Sequence, residues 1–152
     1  MRYPARFDLA PEGGFVVTFR DIPEAITQGD TEAEAEEMAA DALLTAMEFY
    51  FEDRRSVPMP SDIESGERFV ALPSSASAKL LLLNEVVAQG ISNAELARRM
   101  GMTRQEVGRV LDLSHATKID AVSQAIAAHN GMAQIATDNA EVLADFLGFS
   151  PK

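Results

Sequence analysis

The residues with the clearest capacity for recognition chemistry stand on and around a short predicted helix late in the chain. Four of them would face outward: Thr103, Arg104, Gln105 and Arg109. Arginine can form two hydrogen bonds with guanine, glutamine can do the same with adenine, and threonine can bind phosphates or bases. Ser92, His115 and Lys118 lie on either side of this helix and could hold backbone phosphates. The group predicts contacts with duplex DNA.

Two short helices would position these side chains. Each opens with a capping box, Ser92 with Glu95 and Thr103 with Glu106. Between them, Gly101 permits the left-handed backbone conformation of a tight turn. The segment 93–110 is therefore predicted to be two helices joined by a turn, with the second helix carrying the candidate base contacts.

Apolar spacing in this segment predicts that the two helices share one core. Its members would be Leu96, Met100, Val107 and Val110, with the small Ala97 where the helices approach each other. These spacings resemble the helix-turn-helix of the Cro and phage-repressor group, with predicted flanking helices at 77–89 and 117–129. The second helix would then lie in the major groove. The alternative is a helical hairpin with a solvated face.

Charge is distributed unevenly along the 152 residues. Residues 1–73 carry 6 basic and 16 acidic side chains, a net charge of −10, whereas residues 74–130 carry 6 and 5, and residues 131–152 carry 1 and 3. An acidic first half favours a basic partner, although acidic surfaces also keep small proteins soluble. Because the second half is nearly neutral, a monomer would bind DNA weakly, and we expect a homodimer or higher homo-oligomer. Its predicted surface is the apolar face of the helices at 117–131 and 138–147.

The sequence contains few residues arranged as catalytic or metal-binding sites require. The chain has no cysteine, and its two histidines, His115 and His129, lie 14 residues apart. Asp8, Asp21 and Asp30 could converge to hold two metal ions, but we interpret Asp21 and Asp30 as turn caps and Asp8 as solvated. We therefore expect no catalytic residue, metal site or cofactor. With no signal-peptide pattern and no long apolar run, we expect a cytoplasmic protein.

Periodicity divides the chain into an α+β part and an all-α part. Alternation predicts strands at 2–9 and 15–20 joined as a hairpin, shorter strands at 25–27 and 69–72, and a turn at 28–30. A helix capped by Thr31 with Glu34 would run to about residue 53. Its predicted inward stripe is Ala35, Met38, Ala39, Ala42, Leu43, Ala46 and Phe49.

After residue 73 the pattern predicts only helices, at 77–89, 93–100, 103–110, 117–131 and 138–147. The first of these would stop at Gly90. The predicted domains are 1–73, then 74–131 as the helix-turn-helix domain, and 132–152 as a C-terminal extension of unassigned role.

Taken together, the two parts resemble the HicB antitoxin family of the HicAB toxin–antitoxin systems, in its helix-turn-helix branch. The resemblance covers about residues 2–130. The segments that carry it are YP at 3–4, PEGGF at 11–15, FRDIPEA at 19–25, TQGDT at 27–31, DALL at 41–44, FYFED at 49–53 and ATKIDAV at 116–122. Several turns occur in order and are followed by a second domain of the matching kind.

The resemblance implies a fold and two partners. The first domain would have a partial RNase H-like fold that binds and covers HicA, a small basic ribonuclease toxin that cleaves mRNA. The second would bind operator DNA and repress the toxin–antitoxin genes. The candidate toxin-binding surfaces are the acidic helix beginning at Thr31 and the strand edge at 19–26. The candidate contacts combine carboxylates with apolar anchors: Phe19, Asp21, Ile22, Glu24, Ile26 and Asp30. The alternative is an orphan regulator whose first domain senses a ligand or oligomerises.

Overall fold

The computed structural model describes residues 1–115, which form four strands and four helices. The chain divides into two compact units. The first comprises Met1–Phe49 and Pro58–Leu72, and the second comprises Tyr50–Val57 and the described residues from Pro73 onward. The predicted helices at 117–131 and 138–147, with Lys118 and His129, lie outside the described residues. The predicted domain boundary at residue 73 stays a prediction.

The first unit is built on a four-stranded antiparallel sheet in the order β3-β2-β1-β4. Its strands are β1 (Arg2–Leu9), β2 (Phe15–Phe19), β3 (Ile26–Gly29) and β4 (Glu67–Ala71). The predicted hairpin is confirmed, because Ala5 pairs with Phe19 and Leu9 pairs with Phe15. Its turn depends on glycine, since Gly13 and Gly14 adopt φ values of 99° and 79°.

The third strand extends beyond its predicted end. Of the residues predicted to form a turn at 28–30, the first two instead continue the strand, because Gln28 pairs with Val16 and Gly29 pairs with Phe15, and the chain bends at Asp30. Gly29 is also required by space, since a Cβ there would lie 2.4 Å from the backbone nitrogen of Ala35. The chain therefore enters the following helix in close contact with the end of β3.

That helix, α1 (Glu32–Glu52), begins as predicted but presents a different face to the core. The Thr31 hydroxyl accepts from Glu34 N at 3.2 Å, while the Glu34 carboxylate accepts from Asp30 N at 2.8 Å. Its buried residues are Ala35, Ala39, Leu43, Ala46, Met47, Tyr50 and Phe51. The predicted inward positions of Met38 and Phe49 are wrong. At 3.6 residues per turn both fall beside the buried arc, and their side chains are 40% and 52% exposed.

The second unit contains α2 (Ser74–Gln89), α3 (Asn93–Met100) and α4 (Arg104–Val110). Helix α2 begins three residues before its predicted start, directly after Pro73, whose carbonyl accepts from Ser77 N. It ends at Gly90, which has the left-handed φ of 62° that the sequence predicts there. None of the helices within residues 1–115 is long and apolar enough to cross a membrane.

Candidate nucleic-acid interface and partner-binding surface

Helices α3 and α4 are set by their caps and the turn between them. Ser92 Oγ accepts from Glu95 N at 3.2 Å. Thr103 and Glu106 form the complete predicted capping box, with distances of 3.2 and 2.7 Å. Gly101 ends α3 with a φ of 63°, which a side chain would strain. The chain can therefore stop one helix and start the next within three residues.

The predicted shared core of this helix pair is largely buried. Leu96 and Val107 are fully buried and Val110 nearly so, while Ala97 is buried at its small-residue position. Met100 is half-buried. The helix pair packs through the residues that the spacing predicts, and the DNA-binding interpretation of that pair stays a prediction.

The outward face of α4 carries two arginines, Arg104 and Arg109, together with the capping carboxylate of Glu106. Thr103, Arg104, Gln105 and Arg109 are all exposed, as predicted. No carboxylate within residues 1–115 forms an ion pair with Arg104 or Arg109. The Thr103 hydroxyl already accepts one hydrogen bond in the capping box, which leaves its proton and one lone pair for a ligand.

The arginines of α3 are used differently, and the sequence did not predict their use. Glu95 accepts from Arg98 at 2.6 Å and from Arg99 at 2.8 Å. The hydrogen bond from Arg98, followed by that from Arg99, lowers the pKa of Glu95 to about 2. Glu95 therefore pairs with the arginines of α3 instead of completing a reciprocal cap with Ser92, whereas Arg104 and Arg109 of α4 form no ion pair within residues 1–115.

Two of the three predicted phosphate contacts lie within the described residues. Ser92 is exposed, with its oxygen engaged as the cap of α3. His115 is exposed, and its Nε2 lies 3.6 Å from Asp112 Oδ2. The pKa of Asp112 is lowered, first by the side-chain hydrogen bond from Ser114. The imidazole of His115 therefore has an acidic side chain as its neighbour.

Lys79 holds the end of α4, a role that sequence reasoning missed. Its side chain is 1% exposed, and its Nζ donates to the carbonyls of Arg109, Asp112 and His115, the Asp112 bond being 2.7 Å long. A buried cation against carbonyls at a helix C-terminus is favoured by the helix dipole. The available signal was a lone lysine beside the apolar run at 80–83.

The predicted toxin contacts of the first unit separate into core and surface. Phe19 is 2% exposed and Ile22 is fully buried, so both side chains fill the core of this unit, and their role as contact anchors stays a prediction. Ile26 is 63% exposed, because it lies on the edge strand β3. Glu24 and Asp30 are exposed.

Asp21 is committed to a contact within the first unit. Its carboxylate accepts hydrogen bonds from both the backbone nitrogen and the hydroxyl of Ser61. Asp8 and Asp30, the other carboxylates considered for metal binding, are exposed. Within residues 1–115, no group of three or more histidine or acidic side chains is arranged to hold a metal ion.

Arg20 binds the segment 62–67, which leads into β4. The sequence did not predict this contact. Its guanidinium donates to both oxygens of Glu67 at 3.0 Å and to the carbonyl of Asp62 at 2.6 Å. The hydrogen bond from Arg20 is the main cause that lowers the pKa of Glu67 to about 2. Nearby on β4, Arg68 pairs with Glu32 and Glu36 of α1. These two arginines are therefore occupied inside the first unit.

Comparison with known proteins gives one consistent result. Residues 2–81 match the family described as HicB_like antitoxin of bacterial toxin-antitoxin system. Antitoxin HicB of Escherichia coli (strain K12) is 54% identical over 125 residues, which cover 82% of this chain and 91% of that protein. Antitoxin HicB 1 of Photorhabdus laumondii is 50% identical over 128 residues, or 84% and 81% of the two chains. Antitoxin HicB of Pseudomonas fluorescens is 36% identical over 132 residues, or 83% and 90%.

Proposed function

The chain belongs to the HicB-like antitoxins of bacterial toxin–antitoxin systems, and we propose that it neutralises a small HicA-type ribonuclease and represses the genes of the pair. The observation that carries this proposal is the extent of the similarity to Antitoxin HicB of Escherichia coli. The match spans 125 residues, 82% of this chain. Wherever it begins, a match of that length in a chain of 152 residues includes α3 and α4. The similarity therefore spans both the acidic sheet unit and the helix pair.

Operator binding is proposed for the α3–α4 pair as a helix-turn-helix. The supporting features are the complete cap at Thr103, the left-handed Gly101 and the exposed cationic side chains of Arg104 and Arg109. Arg104 and Gln105 open α4, where residues of a recognition helix approach base edges. One helix pair reads one half-site, so we propose that the chain binds its operator as a dimer or higher oligomer.

Toxin neutralisation is proposed for the first unit, a partial RNase H-like fold in this interpretation. Its support is charge: residues 1–73 carry a net charge of −10, and Arg20 and Arg68 are already engaged by Glu67, Glu32 and Glu36. A surface with this balance attracts a basic protein over long range and repels nucleic acid. In this proposal the ribonuclease is the partner, and this chain has a regulatory role.

Co-expression with a promoter reporter tests both activities at once. The neighbouring toxin gene is induced with and without the full chain, and the native promoter drives the reporter. We expect restored growth and reduced reporter output. Repression without rescue would instead favour an orphan regulator with a sensing or oligomerising first unit. Rescue without repression would remove the operator proposal.

A further inference from the structure

Helix α1 carries an apolar ridge that the first unit does not cover. Met38 and Phe49 are 40% and 52% exposed, and their separation of eleven positions corresponds to about 16 Å along one side of the helix. Ala42 is half-buried between them, and Thr45 is exposed. Eleven residues are close to three full turns, so the two large side chains point the same way. We define Met38, Ala42, Thr45 and Phe49 as the α1 ridge.

A row of carboxylates runs beside the α1 ridge. Glu37, Asp41 and Glu48 are exposed, and no cation within residues 1–115 forms an ion pair with them. Their spacing of four and seven residues keeps them on one side of the helix. By contrast, Glu32 and Glu36 both pair with Arg68. Arg68 therefore contacts the first two turns of α1 and not the row of carboxylates. The ridge thus presents two large apolar side chains, Met38 and Phe49, and is negative along one flank.

This charge selects among the candidate occupants of the ridge. A second copy would bring two rows of carboxylates together, which is unfavourable. The chain's own residues 116–152 hold two lysines against four carboxylates, so they offer no complementary charge either. A basic protein surface with an apolar centre is complementary to both parts.

We propose that the α1 ridge is the docking site for the basic toxin, an inference that rests on the proposed function. Met38 and Phe49 insert into apolar recesses of the partner, and the adjoining carboxylates steer its approach. Apolar anchors at the centre of an interface carry most of the affinity, while charges at the rim set the association rate and its dependence on salt. The ridge is distinct from the edge of β3, where Ile26 lies.

A double substitution tests the apolar anchors in the full chain. M38S/F49S should weaken binding of the purified neighbouring toxin by about 30-fold or more, measured by titration calorimetry. The matched control is L9S/F69S, which also removes two exposed apolar side chains from this unit, at 77% and 42% exposure, and should bind as the wild type does. Both variants should keep the wild-type circular dichroism spectrum and melting temperature.

A charge reversal tests the carboxylate row separately. E37K/D41K/E48K should lower the association rate about tenfold or more and flatten its dependence on ionic strength, measured by stopped flow. D8K/E12K/D62K changes the net charge by the same amount at exposed carboxylates off α1. A similar loss in both triple variants would mean that net charge alone steers the toxin.

The outcomes separate this inference from the function beneath it. If the wild-type chain does not bind the toxin, toxin neutralisation itself fails. If the wild-type chain binds and M38S/F49S binds equally well, the ridge is overturned while neutralisation stands. If M38S/F49S changes only the oligomeric state of the free chain in light scattering, the ridge is a contact between copies and the inference is likewise overturned.

Discussion

The two units differ in which charges they leave unpaired. In the first unit, Arg20 and Arg68 are bound by carboxylates, Arg2 lies over the ring of Phe69, and exposed acidic side chains remain in excess. In the second, one carboxylate, Glu95, engages both arginines of α3, and the arginines of α4 remain without a described counter-charge. Net charge alone hides this second point, because residues 74–130 sum to only +1. Local pairing, more than total charge, indicates which partner each surface suits.

The largest expected effect comes from removing the unpaired face of α4. R104A/Q105A should weaken operator binding by about 2–6 kcal/mol, since each bidentate base contact contributes about 1–3 kcal/mol to discrimination. Gel shifts on the protein's own promoter measure this, and toxin binding should be unchanged. The matched control, R98A/Q89A, removes one arginine and one glutamine that are already bonded within this unit. Equal affinities for the two variants would show that α4 is not the recognition helix.

A smaller but substantial effect is expected in stability when the buried cation is removed. Lys79→Met should lower the free energy of unfolding by about 2–4 kcal/mol, because three carbonyl acceptors lose a charged donor. Urea denaturation measures the change. Arg104→Met removes an exposed cation and should leave stability within about 0.5 kcal/mol of the wild type. The pair thus distinguishes a cation that holds α4 in place from one that is free to contact a ligand.

If Lys79→Met were as stable as the wild type, the bonds from Nζ to the chain after α4 would contribute nothing to folding. If Arg104→Met were destabilised instead, its side chain would be structural and its assignment to the DNA face would lose its basis. Either result would mean that Lys79 and Arg104 do not differ in their contribution to stability in the way proposed.

Local signals in the sequence predicted most of the elements, because they act within a few residues. The Thr103–Glu106 box spans three residues, and the glycine stops at 90 and 101 are single positions. The side-chain contacts that hold loops and helix ends in place act between residues far apart in the sequence. Arg20 and Glu67 lie 47 residues apart and Lys79 and Asp112 lie 33 apart, so no helical or strand period connects them.

The face of α1 shows the same limit in a subtler form. Its apolar residues are spaced so that two neighbouring stripes both satisfy a helical period. The sequence alone could not tell that the stripe with Leu43 and Met47 is buried while Met38 and Phe49 remain exposed. Burial is decided by the sheet that the helix packs on, which is information from distant residues.

The smallest expected effect is a pH dependence that compares one ion pair in each unit. Glu67 and Glu95 both have their pKa lowered to about 2 from an ordinary 4.5, chiefly by hydrogen bonds from Arg20 and from Arg98. A carboxylate whose pKa is lower in the folded state than in the unfolded state stabilises the fold at every pH above its unfolded-state pKa. This contribution is lost as the pH falls from about 4.5 to about 2. Glu67→Gln should therefore differ most from the wild type above pH 5 and converge with it toward pH 2, in urea denaturation followed at several pH values. Glu95→Gln should show the same pH dependence with a smaller amplitude, because Arg98 is well exposed and solvent screens the pair.

A Glu67→Gln stability curve that stays parallel to the wild-type curve down to pH 2 would mean that Arg20 does not hold this carboxylate in solution. In that case Arg20 would keep its bond to the Asp62 carbonyl, and Arg68 would be the remaining arginine of the first unit that is shown to be held by carboxylates.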